Sequence, residues 1–246
     1  MAKFAKPLRS ALKRVGISMR LGAIEYTPDW MKQFLGPVFS YMDMLFIDHG
    51  VFRLVYLNKH RIAGTDGWRS AQPAPHQIAG LARRGIKTIV NLRGERLCGS
   101  YWLETAACAR YDIKLENFQV RSRASPSRAE LHGARELFQR IEYPMLMHCK
   151  SGADRVGLMS VLFLHVHHGV PMEKALKQLS LKYGHIKQAD TGVLDHFFET
   201  YLAYNRTTPI AFYDWVDTVY NPEEVRASFH ANGFANRLVN DILRRE

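Results

Sequence analysis

The central part of the chain alternates short apolar runs with segments whose apolar residues recur every three or four positions. Residues 87–92 (Lys-Thr-Ile-Val-Asn-Leu) and 144–147 (Pro-Met-Leu-Met) are apolar, which indicates buried strands. Residues 127–141 have helical spacing and begin with a capping box, Ser127-x-x-Glu130. Further strands are predicted at 53–62 and 113–118, a turn-rich passage at 64–75, and helices at 76–84, 101–111, 154–168, 172–181 and 193–204.

This alternation predicts an α/β fold with a mostly parallel central sheet flanked by helices on both faces. In such sheets, ligands bind beyond the carboxyl ends of the strands. A chain of 246 residues has room for one domain of this kind with extensions. We predict the domain at residues 53–205, a basic amphipathic N-terminal extension at 1–52, and a helical C-terminal extension at 206–246.

The N-terminal extension combines two patterns. The first 24 residues contain six Lys or Arg residues and no acid, and their apolar residues follow one helical stripe. A solvated basic helix, an anchor on anionic lipid and an organellar presequence are all compatible with that stripe. Residues 34–47 are apolar but are interrupted by Gly36, Pro37 and Asp43. They are too few to span a bilayer and indicate a buried or interfacial element.

The amino-acid composition excludes several classes of protein. Apolar residues make up 47% and charged residues 23%, which excludes a disordered or collagen-like chain. Three cysteines without a Cys-x-x-Cys pair exclude a disulfide scaffold and favour a reducing compartment, so we expect a cytoplasmic protein. The net charge of +11 favours anionic partners, with peripheral contact to an anionic membrane as an open alternative. No nucleic-acid recognition motif accompanies this charge.

Residues 148–155 (His-Cys-Lys-Ser-Gly-Ala-Asp-Arg) lie between a predicted strand and a predicted helix. A loop in this position turns backbone N–H groups inward at a helix N-terminus and forms a cradle for a phosphate group. The same field favours the thiolate of Cys149, and Arg155 can hold two oxygens of the same phosphate. The residues expected to line the cradle are Lys150, Ser151, Gly152 and Ala153.

This loop resembles the signature of cysteine-dependent protein tyrosine and dual-specificity phosphatases, His-Cys-x-x-Gly-x-x-Arg. Residues 68–73 (Trp-Arg-Ser-Ala-Gln-Pro) and 84–93 resemble the beginning of the atypical dual-specificity group of bacteria, fungi and plants. The resemblance covers roughly residues 53–205. It implies hydrolysis of a phosphate monoester through a phosphocysteine, without a metal or other cofactor. It also implies Cys149 as nucleophile, Arg155 as phosphate clamp and His148 as a residue that tunes the thiolate.

Two positions depart from the family pattern. Val156 follows the arginine, where most members have a Ser or Thr whose hydroxyl helps the sulfur leave. Slow hydrolysis of the intermediate, or a pseudophosphatase that only binds phosphate, therefore remains open. The upstream window 117–128, where the family usually has its acidic Asp, contains no acid. Asp154 occupies the place of an Asp that is the proposed acid in myotubularin lipid phosphatases. The alternative role of Asp154 is to stabilise the start of the helix.

The acid-free window contains Arg121 and Arg123, and the signature loop adds Lys150. If these cations surround the pocket, they suit a polyanion such as an inositol phosphate or a phospholipid headgroup; otherwise they are solvated. We therefore expect either a phosphorylated protein or a phospholipid or inositol phosphate as substrate. The leading function is that of a protein tyrosine or dual-specificity phosphatase, and the alternative is a lipid phosphatase at a membrane surface. No metal site is predicted, since His165 and His168 lack a third ligand.

Overall fold

A five-stranded sheet forms the centre of the molecule. The computed structural model describes residues 29–48 and 50–229. The strands are β1 (His60–Arg61), β2 (Gly67–Ala71), β3 (Thr88–Asn91), β4 (Lys114–Asn117) and β5 (Met145–Cys149). Their order is β1-β2-β5-β3-β4; β1 is antiparallel to β2, and the other neighbours are parallel. This arrangement confirms the predicted α/β class.

Helices precede, separate and follow these strands. In chain order they are α1 (Asp29–Met42), α2 (Val51–Val55), α3 (Pro75–Ala82), α4 (Gly99–Arg110), α5 (Arg128–Arg140), α6 (Asp154–Leu162), α7 (Met172–Ala175), α8 (Val193–Thr207), α9 (Phe212–Thr218) and α10 (Pro222–Ser228). A π-helical turn extends α1 (Asp43–Ile47), and another extends α6 (Phe163–His167). The 3-10 turns are Leu176–Gln178, Leu181–Tyr183 and Asp190–Gly192.

Successive side chains of β5 enter two different cores, because side chains alternate between the faces of a sheet. Leu146 packs in a cluster with residues of α3 and α4. Met145 and Met147 pack in a larger cluster with residues of α5, α6 and α8. Both faces of the sheet are therefore covered, and the central strand β5 is buried along its whole length. Its carboxyl end, at Cys149, is where the chain can reach a ligand.

Three local predictions were wrong. The strand predicted from residue 53 begins as helix α2, because Arg53 N bonds Gly50 O and its guanidinium reaches Asp48. The turn-rich passage contains strand β2, whose polar residues are buried beside β5. The helix predicted at 172–181 is only the short α7 with a 3-10 turn. In the first two cases, tertiary contacts outweigh local propensity.

The segment after α8 belongs to the main core. Phe212, Trp215 and Tyr220 are buried against aromatic side chains of α8, so this aromatic cluster serves packing. The Tyr220 hydroxyl donates to Pro126 O at 2.6 Å, and Arg128 donates to Tyr220 O at 2.7 Å. The C-terminal segment thus fixes the loop that precedes α5.

The N-terminal segment is fixed to the first turn of α4. A Cβ on Gly99 would lie 2.2 Å from Ser40 O, so only glycine permits this close approach of α1. The Asp43 carboxylate accepts a hydrogen bond from Gly99 N, where a negative charge suits the helix dipole. The predicted apolar stripe at 4–19 and the end of the C-terminal extension lie outside the described residues. The domain limits at 52/53 and 205/206 stay predictions.

Candidate active site

Cys149 ends the central strand between two parallel neighbours. It lies opposite Ala71 of β2, and His148 lies opposite Asn91 of β3. Leu92 N donates to His148 O at 2.9 Å, so the pairing with the β3 side continues to the last residue before the cysteine. Cys149 is 2% exposed. The sulfur is therefore placed at the carboxyl edge of the sheet, where the sequence predicted ligand binding.

Gly152 makes the tight turn that follows. Its φ of +75° lies in the left-handed region. A Cβ at this position would also lie 2.6 Å from Ala71 N and from Ser70 C. Both the conformation and the contact with β2 therefore require glycine. The chain then enters α6 at Asp154, whose nine residues direct the positive end of a helix dipole at the loop.

Side chains from outside the loop bind its carbonyl oxygens. Asn58 Nδ2 donates to Ser151 O at 3.0 Å. One terminal nitrogen of Arg69 donates to Gly152 O at 3.0 Å and to Ala153 O at 3.1 Å. In a planar trans peptide the N–H points opposite to the C=O, so these anchors turn the following N–H groups to the other side of the loop. This is the orientation that a phosphate cradle needs.

Arg69 is completely buried behind the loop. Its second terminal nitrogen binds Gln178 O at 2.7 Å and Gln178 Oε1 at 2.9 Å. The guanidinium also lies 3.9 Å from the ring centroid of Tyr183, a cation–π contact. Burial lowers the pKa of Arg69 to about 10, against the opposing effects of Tyr183 and Cys149. At neutral pH it remains a cation and adds positive potential near the cysteine.

His148 begins a chain of buried polar contacts. Its Nε2 lies 2.6 Å from Glu104 Oε1, and both side chains are 0% exposed. Glu104 Oε2 accepts a hydrogen bond from Gln72 Nε2 at 2.8 Å. Gln72 Oε1 in turn accepts from Arg93, in the loop after β3. The residue before Cys149 is thus positioned by α4, by the segment after β2 and by Arg93.

The chain of contacts ends at Asp48 in the N-terminal segment. Arg93 reaches its two carboxylate oxygens at 2.7 and 2.8 Å. Arg53 lies 3.1 Å from Asp48 Oδ2, and the Ser100 hydroxyl donates to the same oxygen at 2.7 Å. Burial would raise the pKa of Asp48, but the hydrogen bond and the charge of Arg93, with Arg53, hold it far below its ordinary value. Lys150 of the signature loop lies 3.9 Å from Asp48 Oδ1.

Asp154 forms the other buried cluster of the site. His185 Nδ1 lies 2.8 Å from Asp154 Oδ1, and His185 Nε2 lies 2.6 Å from Asp195 Oδ2. All three side chains are buried. Burial alone would lower the pKa of His185, but the hydrogen bonds to Asp154 and Asp195 outweigh it and raise that pKa to about 9. At neutral pH an imidazolium therefore bridges two carboxyl groups.

Carboxyl groups near the acid-free window have structural contacts. Glu116 lies 3.2 Å from Lys114 and 2.8 Å from Arg140. Glu130 accepts a hydrogen bond from Ser127 N at 2.6 Å, as the predicted capping box requires.

The arginines of that region have contacts of their own. Arg121 lies 3.3 Å from Glu130, and Arg128 binds the C-terminal segment. Arg123 is partly buried. Roles for Arg121 and Arg123 in substrate binding stay predictions.

Val156 is completely buried in the first turn of α6. Its side chain offers no hydroxyl to the sulfur. Within residues 29–48 and 50–229, no cluster of three or more His, Cys, Asp or Glu side chains is arranged to hold a metal ion. No helix in that part of the chain is long and apolar enough to cross a bilayer.

Comparison with known proteins assigns the family. Residues 58–193 match the family described as DSP-PTPase phosphatase fused to NAD+ kinase, which is more than half of the chain. The chain belongs to this phosphatase family. The match contains the signature loop, its Arg69 and Asn58 anchors and His185. It ends at the first residue of α8, so Asp195 lies just outside it.

Solved structures give more distant similarities. TpbA of P. aeruginosa is 20% identical with a TM-score of 0.44, covering 70% of this chain and 90% of that protein. PTPMT1 is 18% identical with a TM-score of 0.44, covering 61% and 99%. Tk-PTP is 21% identical with a TM-score of 0.44, covering 58% and 98%. No curated protein matches the sequence. The family assignment rests on the match at residues 58–193.

Proposed function

We propose that this phosphatase-family domain hydrolyses phosphate monoesters through a covalent phosphocysteine on Cys149. The observation that carries the proposal is the anchoring of the loop carbonyls by Asn58 and Arg69, which leaves the N–H groups to face a phosphate. In the first step the Cys149 thiolate attacks phosphorus and the bond from phosphorus to the ester oxygen breaks. Arg155 holds two of the remaining phosphate oxygens as the charge on them grows.

The leaving oxygen needs a proton, and we assign that role to Asp154, with His185 as its positioning residue. The proton comes from the His185 imidazolium, whose Nδ1 lies 2.8 Å from Asp154 Oδ1, and the Asp154 carboxyl group passes it to the leaving oxygen. In the second step, a water molecule attacks phosphorus, the sulfur–phosphorus bond breaks, and the Asp154 carboxylate takes the proton from that water. The 2.8 Å contact with His185 keeps Asp154 in one orientation during both steps. His148, held by Glu104, positions the start of the loop.

Phosphorylated proteins, on tyrosine or with dual specificity, are the first substrate class proposed. A phospholipid or inositol phosphate is the second, favoured by the net charge of +11 and by the exposed apolar residues of the segment that carries Asp48. Buried Val156 favours a slow second step, and in the extreme a domain that retains phosphorylated ligands rather than turning them over.

The test is phosphate release by the full chain and by Cys149→Ser, without added metal. The substrates are an activated aryl phosphate, phosphotyrosine and phosphoserine peptides, phosphoinositides and phosphatidylglycerol phosphate. We expect release that depends on Cys149, and the preferred substrate separates a protein phosphatase from a lipid phosphatase. Binding of phosphorylated ligands without release, by a folded protein, would leave the domain as a phosphate-binding module and overturn the proposed hydrolysis.

A further inference from the structure

In the segment 36–56 the charged side chains are buried and most of the large apolar side chains are exposed to solvent. It contains three residues of the Asp, Glu, Lys and Arg types: Asp43, Asp48 and Arg53. All three are buried, at 7%, 9% and 7% exposure. Seven large apolar side chains of the same segment are at least half exposed: Val38, Phe39, Met42, Phe46, Phe52, Val55 and Tyr56. We call these seven side chains the outward face.

Helix α2 shows this inversion most clearly. Arg53 is the one buried side chain among its five residues, while Phe52 is 74% and Val55 is 88% exposed. Arg53 binds Asp48 and the Ser100 hydroxyl, and its backbone oxygen accepts from Gln77 Nε2 at 3.2 Å. Polar contacts therefore hold α2 to the domain, while all four of its apolar side chains remain at least 39% exposed. In a water-soluble surface helix the arrangement is the reverse.

The well-exposed large apolar side chains are concentrated in the segment that carries the outward face. Beyond this segment, the well-exposed large apolar side chains among residues 57–229 are isolated in the sequence: Leu97, Tyr111, Leu181 and Val219. Single exposed apolar residues are normal on protein surfaces, whereas a contiguous group marks contact with a protein or a membrane. Val38, Met42 and Phe46 recur every four residues, so they follow one side of α1 and of its π-helical turn.

We propose that the outward face contacts the surface of an anionic lipid bilayer. The charge of the chain favours this partner. The first 24 residues, which precede the segment in the sequence, carry six Lys or Arg and no acid, and the net charge is +11. Exposed apolar side chains and a stretch of basic residues are two signals that together hold a peripheral protein on anionic lipid. A second copy of the chain carries the same positive charge, so electrostatic repulsion opposes self-association through this face.

The segment that carries the outward face also contacts the candidate active site. Asp48 connects the segment to Arg93, and Lys150 of the signature loop lies 3.9 Å from the same carboxylate. A bilayer that contacts the outward face would therefore touch the same segment that contacts Lys150 of the signature loop. The inference concerns binding and holds whether or not the domain is catalytically active.

The test measures binding of full-length Cys149→Ser protein to vesicles, since this variant removes turnover. The vesicles are phosphatidylcholine alone and phosphatidylcholine with phosphatidylglycerol. We expect binding to the phosphatidylglycerol vesicles that weakens with added salt. Introducing both Phe52→Asn and Val55→Asn into the Cys149→Ser variant is expected to weaken that binding about tenfold or more. The reason is that the apolar surface of these two side chains, which the bilayer would remove from water, is lost. Both side chains are exposed, so the folded domain is retained, which thermal unfolding checks.

Val219→Asn, in the same background, is the matched control because it changes an apolar side chain that is exposed outside the face. It is expected to bind as the parent does. The proposal is overturned if the Phe52 and Val55 double change leaves vesicle binding intact, or if the parent binds neither kind of vesicle. In the second case, sedimentation of a dimer that the double change abolishes would identify the face as an interface between copies.

Discussion

His185 contacts Asp154 at 2.8 Å, and neither side chain is open to solvent. Asp154 lies within the signature loop, but the histidine comes from outside that loop, between the 3-10 turns Leu181–Tyr183 and Asp190–Gly192. This contact gives the carboxyl group one fixed orientation next to Arg155. Together with the contact to Asp195 it raises the pKa of His185 to about 9, so the imidazole beside the signature loop keeps its second proton at neutral pH.

Asp154→Asn tests the assignment of the acid. The amide keeps the size of the side chain but cannot give a proton to a leaving oxygen. Turnover of a poor leaving group, such as an alkyl phosphate, is expected to fall about 100-fold, and turnover of an activated aryl phosphate much less. Steady-state rates on the two substrates give the comparison. Equal losses on both would show that Asp154 has a structural role only.

The charge of His185 makes stability depend on pH. Its pKa in the folded protein, about 9, is above the unfolded value of 6.5, so its contribution is complete below pH 6.5 and disappears as pH rises through 9. That contribution is on the order of 3 kcal/mol. The difference in unfolding free energy between the parent and His185→Gln should therefore be largest near pH 6 and shrink toward alkaline pH. Urea unfolding at several pH values measures it, and a difference that does not change with pH would contradict this assignment.

Asp48→Asn removes the negative charge between Arg93 and Arg53. Both arginines are buried, so losing their counter-charge is expected to destabilise the protein by about 3 kcal/mol. Asp66→Asn is the matched control because Asp66 forms an exposed ion pair with Arg61 at 3.7 Å, worth less than about 1 kcal/mol. Chemical unfolding of the two variants compares them directly. If both lose the same stability, the contacts of Asp48 do not hold the N-terminal segment to the domain.

Val156→Thr restores the hydroxyl that most family members have after the arginine. If breakdown of the phosphocysteine limits turnover, the variant is expected to hydrolyse an activated aryl phosphate faster, with a smaller initial burst of the aryl alcohol. Val161→Thr buries the same hydroxyl elsewhere in α6 and serves as the control for its effect on folding. An unchanged steady-state rate in Val156→Thr would remove the argument for a slow second step.

The sequence predicted the strand and the helix on either side of the signature loop because these residues are contiguous. Strand β5, the loop and α6 follow one another within a single stretch, so local patterns were sufficient. The anchors of the loop could not be found in this way. Asn58 binds Ser151 across 93 positions of the chain, and Arg69 binds Gly152 across 83. Gln178, which binds Arg69, is 109 positions away from it. Their polar character also concealed β2, since a buried arginine in a central strand violates the usual apolar pattern.

The N-terminal segment was only partly predictable for a related reason. Its apolar run predicted a buried or interfacial element; many of its apolar side chains are exposed rather than buried, and the interfacial role stays a prediction. The contact of Asp48 with Arg93 spans 45 positions, and no local spacing indicates it. The segment was therefore placed outside the phosphatase domain, although one of its carboxylates belongs to the polar contacts that reach His148.

The most direct test of the account is to trap the phosphocysteine itself. The full chain is mixed with an activated aryl phosphate and quenched with acid, and the intact protein mass is measured at successive times. We expect a covalent adduct of one phosphoryl group that forms on the parent, accumulates because Val156 slows its hydrolysis, and is absent from Cys149→Ser. Phosphate release that continues unchanged in Cys149→Ser, with no adduct on either protein, would contradict it.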